Sequence, residues 1–152
     1  MNRVCFVCLG NICRSTMAEF LFKKLVAEKG VADEFIIESR ATSDESVGWQ
    51  VHHGTALVLD RFGIDYSQKR AAQLKIEDGN NFDYFVCMDD SNMTNTARIL
   101  SIYHDAEIIK LLNLTSRPRD VLDPYYTRNF ELAYQDITEG LNALMLYLGY
   151  DE

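Results

Sequence analysis

Short apolar segments of the strand type alternate along this chain with segments of helical periodicity. The strand-like segments are VCFVC (4–8), EFIIE (34–38), FDYFVCM (82–88) and EIIKLL (107–112). Apolar residues recur at helical spacing over about 15–29, 51–62 and 130–148, with a further helix after the third strand. Apolar strands that alternate with helices build a parallel sheet covered by helices. We therefore predict an α/β fold, a four-stranded parallel sheet with helices on both faces, of the flavodoxin-like or Rossmann-like three-layer type.

Capping residues refine these boundaries. Gly30 and Gly63 follow the first two helical segments and are predicted to end them. Ser91, after the third strand, can cap a helix there. The 152 residues contain no linker and no repeat. We therefore predict a single domain over residues 1–152.

The segment after the first strand is the candidate functional site. In parallel sheets a ligand lies beyond the carboxyl ends of the strands, where Cys8 is predicted to sit. A loop between a strand and a helix directs backbone N–H groups at one point and favours an anion. We expect a positive φ at Gly10 and left-handed geometry at Asn11. The predicted oxyanion loop consists of Leu9, Gly10, Asn11, Ile12, Cys13, Arg14 and Ser15.

Two side chains give this loop a possible chemistry. Arg14 carries a planar fork of donors that matches two oxygens of a phosphate. The same positive environment, with the Ser15 hydroxyl, should stabilise Cys8 as a thiolate nucleophile. Cysteine and arginine at this spacing are weak evidence alone, because Cys8 could equally be a buried strand residue and Arg14 a surface charge. Their place between a strand and a helix favours the oxyanion site.

Charge and hydropathy limit the classes of partner. The net charge is −8, which argues against nucleic acid as a partner because phosphate backbones would be repelled. No apolar stretch is long enough to cross a bilayer, so we expect no membrane insertion. Met1 to Arg3 lead straight into the first strand without a signal peptide. A cytoplasmic location is therefore expected, while the oligomeric state stays open.

The four cysteines do not indicate a metal site or a disulfide framework. Cys5 and Cys8 are three residues apart on a strand and should point to opposite faces. No second pair of ligands has zinc-like spacing. Cys87 is interpreted as a packed strand residue. We expect no metal and no other cofactor.

Three blocks of sequence resemble one enzyme family. VCFVCLGNICRSTMAE (4–19) is similar to the amino-terminal signature of the low-molecular-weight protein tyrosine phosphatases. FDYFVCMDDSN (82–92) resembles the third strand of that family and its following turn, and DVLDPYY (120–126) resembles its general-acid loop. The blocks stand in the order found in the family and span most of the chain.

This resemblance implies a reaction and the residues that perform it. Cys8 would be the nucleophile, Arg14 the phosphate clamp and Asp123 the general acid. The implied function is hydrolysis of phosphotyrosine and aryl phosphates through a phosphocysteine intermediate. The partner would be a phosphotyrosine-containing protein, and inorganic phosphate would be a product. The resemblance also implies loop support by Asn11, Ser15 and Ser39, and a substrate entrance formed by Glu45, Tyr125 and Tyr126.

Some positions depart from the family pattern. Gln68 is aligned with a histidine often found near the loop, and Arg40 replaces a small residue beside Ser39, which leaves the role of Ser39 open. Glu45 stands where some relatives place an aromatic residue. Ile12 occupies a position where phosphoarginine phosphatases of this fold have threonine.

Other functions remain open for this chain, and some residues are interpreted as structural. The alternatives are a phosphoarginine phosphatase, a thiol-dependent arsenate reductase, which would need more cysteines near Cys87, and an inactive phosphate-sensing module. The resemblance also implies a redox pair of Cys8 with Cys13. His52 and its neighbour His53 are interpreted as a plain surface pair. Trp49 is interpreted as an entrance residue or, preferably, as partly packed in the core.

Overall fold

The computed structural model describes residues 1–150. Its centre is a parallel sheet of four strands in the order β2-β1-β3-β4, with helices on both faces. The strands are β1 (Asn2–Cys8), β2 (Phe35–Ala41), β3 (Tyr84–Cys87) and β4 (Glu107–Lys110). The helices are α1 (Arg14–Glu28), α2 (His53–Asp60), α3 (Asp90–Leu100), α4 (Pro124–Thr127) and α5 (Phe130–Tyr147). The predicted fold class is confirmed.

Strand β1 lies in the middle of the sheet, because it pairs with β2 on one side and β3 on the other, and packed helices bury both of its faces. Val4, Phe6 and Cys8 belong to a core built with α1, α2 and α5. Cys5 and Val7 belong to a second core built with α3. Cys5 and Cys8 therefore lie on opposite faces, as their spacing predicted.

The direction of the strand order reverses at β1, since β2 lies on one side and β3 on the other. Open α/β sheets form their ligand crevice at such a point, beyond the carboxyl ends of the strands. The segment after β2 borders this crevice. Its Thr42 N–H donates to Cys8 O at 2.9 Å, and its Ser43 N–H donates to Leu9 O at 3.0 Å. The topology therefore places the loop after Cys8 at the edge where a ligand is expected.

Several element boundaries differ from the sequence prediction. β4 ends at Lys110, because the apolar residues that follow form a 3-10 turn over Leu111–Leu114. The cap of α3 is Asp89, whose carboxylate accepts from Asn92 N at 2.8 Å, so the prediction of Ser91 was wrong. Helix α4 was not predicted, since four residues are too few for a periodic pattern. No helix within residues 1–150 has both the length and the apolar character needed to cross a membrane.

Candidate active site

The nucleophile candidate lies at the base of a small pocket. Cys8 is the last residue of β1 and lines a cavity of about 180 Å³. Its Sγ accepts a hydrogen bond from Asn11 N at 3.3 Å and lies 3.0 Å from Ser15 Oγ. Both neighbours can donate to sulfur, which is the arrangement that a thiolate requires. The pocket is lined by Cys8, Leu9, Gly10, Ile12, Cys13, Ser43, Glu45, Ser46, Trp49, Asp123, Tyr125 and Tyr126.

The loop below this pocket keeps its shape through one left-handed residue. Asn11 has φ 57°, as predicted. Gly10 does not have the positive φ that we expected, and its neighbours Ser46 and Ile12 would meet an added Cβ at ordinary contact distances. The left-handed turn is therefore provided by Asn11 alone, because its short polar side chain tolerates this geometry when its amide finds local partners.

A chain of hydrogen bonds that runs through the Asn11 side-chain amide leads to the nucleophile. Asn11 Nδ2 donates to Ser39 Oγ at 2.9 Å and to Ser15 Oγ at 2.7 Å. Ser39 in turn donates to the acceptor-only carboxylate of Glu19. Because the Ser15 hydroxyl accepts from Asn11, its own proton is free to point at Cys8 Sγ. The chain thus orients Ser15 as a donor to the sulfur, and Arg40 does not displace Ser39 from it.

Lys69 completes this chain at its far end. Its Nζ lies 3.1 Å from Glu19 Oε1 and donates to Ser39 O at 3.3 Å. Burial opposes the charge on Glu19, but Lys69, Lys23 and Ser39 hold the pKa of Glu19 below its usual range. Gln68, which the family pattern aligns with a histidine, is exposed, whereas its neighbour Lys69 turns inward. A charged lysine therefore anchors the chain.

Arg14 is the first residue of α1 and is only 2 % exposed. Its Nη1 donates to Asp89 Oδ2 at 2.7 Å and to Val121 O at 2.8 Å, and its Nη2 lies 3.4 Å from Asp123 Oδ2. Burial opposes the charge, but Cys8, Asp123 and Asp89 outweigh it and raise the pKa of Arg14. The guanidinium is therefore fixed in the site as a cation.

The buried Arg14 Nε has no hydrogen-bond partner among residues 1–150. Polar groups buried in proteins nearly always have a partner, so a donor left over in this position points to a ligand. The amino end of α1 adds further donors, since no side chain in the described part of the protein caps it. An oxyanion above Cys8 would satisfy both sets of donors.

Asp123 enters the pocket from the loop before α4. It caps that helix, with Oδ1 accepting from Tyr125 N at 3.1 Å, while Oδ2 faces Arg14. The Tyr125 and Tyr126 rings follow at once and meet edge to face, with centroids 5.3 Å apart. Both rings are exposed and line the pocket. The acid candidate and an aromatic wall therefore share one short segment.

The segment between β2 and α2 supplies the rest of the entrance. Glu45 lines the pocket. Trp49 lines it as well and is 52 % exposed, so our interpretation of Trp49 as partly packed in the core was wrong. An exposed indole beside the pocket offers a second flat surface for an aromatic ligand.

His52 is a structural residue that the sequence did not reveal. Its backbone N–H donates to Ile12 O at 3.0 Å. Its side-chain Nδ1 accepts from Gly54 N and so caps α2. The imidazole stacks on Phe130 with centroids 5.1 Å apart and meets the edge of Tyr125 at 5.8 Å. Burial lowers the pKa of His52, which favours the neutral ring that this cap needs. The interpretation as a plain surface residue was wrong.

The comparison with known families shows to which family the chain belongs. The family described as Low molecular weight phosphotyrosine protein phosphatase matches residues 3–152. The chain belongs to this family. A cysteine-based hydrolase is what we predicted for it, and that prediction is confirmed at the level of the family.

Three relatives of the phosphatase family illustrate the match. The low molecular weight protein-tyrosine-phosphatase YfkJ of Bacillus subtilis is 38% identical over 147 residues, 95% of this chain and 94% of the relative. The YfkJ crystal structure gives a TM-score of 0.91 over 97% of this chain and 94% of its own. SP-PTP of Streptococcus pyogenes gives 0.86 at 41% identity, with coverage of 97% and 93%. The drosophila arginine phosphatase DARP gives 0.88 at 25% identity and covers 100% of each chain.

The structure brings the predicted catalytic residues of this phosphatase family member together, since Cys8 and Asp123 line one pocket and Arg14 contacts Asp123. Sequence reasoning gave no role to Glu19, although this residue ends the block 4–19, and none to Lys69, which no local motif marks. All four cysteines are free, Cys13 lines the same pocket as Cys8, and burial raises the pKa of the Cys13 thiol. A disulfide between Cys8 and Cys13 stays a prediction. Within residues 1–150, no three His, Cys, Asp or Glu side chains are grouped closely enough to hold a metal ion.

Proposed function

We propose that this chain hydrolyses phosphotyrosine in proteins through a phosphocysteine formed on Cys8. The observation that carries this proposal is the buried Arg14, whose Nε has no partner within residues 1–150, beside an uncapped helix end and a hydrogen-bonded thiol. These donors match the equatorial oxygens of a phosphoryl group during transfer. The cytoplasmic location stays a prediction of the sequence.

In the first step the Cys8 thiolate attacks phosphorus in line with the leaving phenol. The S–P bond forms as the P–O bond breaks, and the electron pair of that bond stays on the phenolic oxygen. Protonated Asp123 gives its proton to this oxygen, so that neutral tyrosine departs. Arg14 and the loop amides stabilise the charge on the three equatorial oxygens throughout.

In the second step the phosphocysteine is hydrolysed. Asp123, now a carboxylate, accepts a proton from water as the water oxygen attacks phosphorus. The S–P bond breaks and its electron pair returns to Cys8 as a thiolate, which the Ser15 hydroxyl and Asn11 N–H stabilise by donating to sulfur. Inorganic phosphate leaves, and the site is ready for another turnover.

Replacing Asp123 tests this division of roles. We expect Asp123→Asn to lower kcat/KM for phenyl phosphate by about 10²-fold or more, because the phenolate is a poor leaving group and needs the proton. The loss on nitrophenyl phosphate should be several-fold smaller, since that leaving group departs without a proton. Steady-state kinetics on a series of aryl phosphates measure the difference. Equal losses across the series would assign the acid role to another group.

The preference for a phenolic ester over other phosphates rests on Ile12. Its buried side chain lines the pocket close to the nucleophile and offers only apolar surface there. Tyr125, Tyr126 and Trp49 add flat surfaces around the same opening. A tyrosine ring gains from such walls, whereas a guanidinium leaving group would lose hydrogen bonds to water without replacement. A phosphoarginine phosphatase is the second candidate, because the similar fold of the drosophila arginine phosphatase carries that named activity.

Matched peptides decide between these two substrates. We expect the wild-type protein to have a kcat/KM for phosphotyrosine at least about tenfold above that for phosphoarginine or phosphoserine. Ile12→Thr should raise the phosphoarginine to phosphotyrosine ratio, because it puts a hydroxyl beside the leaving group. Ile12→Val, which removes one methylene and adds no polar group, is the control and should keep the original ratio. A wild-type preference for phosphoarginine would reverse the assignment.

A further inference from the structure

The loop that carries Asp123 has no regular secondary structure between residues 118 and 123. Two backbone contacts fix it at Val121, whose N–H donates to Met88 O at 2.8 Å and whose O accepts from Arg14. The contact with Arg14 couples this loop directly to the phosphate clamp. Any other attachment of the loop to the rigid sheet would therefore influence where the acid sits.

Lys110 provides such an attachment. It is the last residue of β4, and its side chain is 9 % exposed. Its Nζ donates to Asp120 Oδ1 at 2.8 Å and to Asp90 Oδ1 at 2.9 Å. Burial opposes the charge, but Asp120 and Asp90 raise the pKa of Lys110. A cation at the end of the sheet thus bridges the acid loop and the amino end of α3.

Lys110 and Arg14 form two parallel links between the same two segments. Arg14 joins Asp123 to Asp89, and Lys110 joins Asp120 to Asp90. Asp89 and Asp90 are consecutive residues at the start of α3. Removing the lysine would leave two carboxylates facing each other without a counter-charge, and such groups repel. The part of the acid loop around Asp120 would then move away from α3, while Val121, the Arg14 contact with Asp123 and the pairing of Arg119 with Asp136 still restrain the loop on either side.

We propose that Lys110 is a positioning residue for the general acid, acting through Asp120. The inference rests on the proposed function, since it concerns proton donation by Asp123. Proton transfer requires the donor to lie within hydrogen-bond distance of the leaving oxygen. A displacement of about 1 Å at a catalytic group costs up to about 10²-fold in rate. Lys110 contributes to catalysis by preventing that displacement and does not touch the substrate.

A purely structural role for Lys110 makes a different prediction. A residue that only stabilises the fold would lower the melting temperature, and any loss of activity would be equal for all substrates. A residue that positions the acid must affect poor leaving groups more than good ones. The dependence of kcat/KM on the pKa of the leaving phenol therefore separates the two roles.

The test replaces Lys110 with methionine, which has a similar length and no charge. We expect Lys110→Met to lower kcat/KM for phenyl phosphate by about 10- to 100-fold and for nitrophenyl phosphate by no more than about threefold. The inhibition constant of inorganic phosphate should stay within about threefold, because the clamp and loop are intact. Equal losses on both substrates would overturn the inference.

Two aspartate variants make the test independent of how well the methionine variant folds. Asp120→Ala removes the link to the acid loop and should reproduce the leaving-group dependence. Asp90→Ala removes the other contact of Lys110, which is made by an exposed side chain, and should leave the leaving-group dependence as in the wild-type protein. The opposite ranking of these two variants would also overturn the inference. A wild-type protein that hydrolyses no aryl phosphate would instead refute the proposed function.

Discussion

We expect Cys8→Ser to lower kcat on aryl phosphates by about 10⁴-fold or more while inorganic phosphate still binds. Serine keeps the shape of the side chain, but its hydroxyl ionises far less readily than a thiol and attacks phosphorus poorly. The hydrogen bonds from Asn11 N and from Ser15 that now stabilise sulfur cannot supply this reactivity. Phosphate binding depends on Arg14 and on backbone N–H groups, which the substitution leaves in place.

Two measurements check this result. Steady-state turnover gives the loss of kcat, and isothermal titration with inorganic phosphate gives an affinity that should be unchanged or higher, since the repelling thiolate is gone. Cys87→Ser is the matched control, because this buried cysteine ends β3 beside Thr96 Oγ1 at 3.5 Å and a hydroxyl can keep that contact. The control should retain wild-type turnover. Substantial activity in Cys8→Ser would refute the phosphocysteine mechanism.

The fold and the centre of the site were predictable because their signals are local. The apolar strands and the period of the last helix gave the sheet and its layers. The loop from Cys8 to Ser15 combines a strand end, a left-handed asparagine and a helix start within eight residues. Each of these features follows from neighbouring residues, and so the sequence alone indicates an oxyanion site there.

The support of the site was not predictable, because it depends on contacts between residues that are distant along the chain. Lys69 meets Glu19 across 50 positions, and the sequence could not show that Lys69, and not Gln68, turns inward. Lys110 bridges two segments that both lie outside its own strand. From sequence alone, a charged residue is expected to be exposed to solvent, because its partners become apparent only in the folded structure. The error at His52 has the same origin, because its aromatic partners Tyr125 and Phe130 lie far along the chain.

The second large effect is expected for Arg14→Lys, which should lower kcat/KM by about 10³-fold and also weaken phosphate binding by about tenfold or more. The arginine performs two tasks at once. It satisfies Asp89, Val121 O and Asp123 with its two terminal nitrogens, and it keeps Nε for the ligand. Lysine has one nitrogen at the end of a flexible chain and cannot meet both sets of acceptors.

Arg14→Lys is expected to lose both turnover and phosphate affinity. This distinguishes it from Cys8→Ser, which should lose turnover and keep phosphate binding. Arg3→Lys is the control, because Arg3 pairs with Asp83 at the amino end of β1, far from the carboxyl ends of the strands, and should keep normal kinetics. Near-ultraviolet circular dichroism of Arg14→Lys tests whether its fold is intact. A folded Arg14→Lys protein with wild-type phosphate affinity would mean that the backbone of the loop binds the oxyanion without the guanidinium. The remaining role of Arg14 would then be structural. Its contacts with Asp89, Val121 O and Asp123 would hold the acid loop in place.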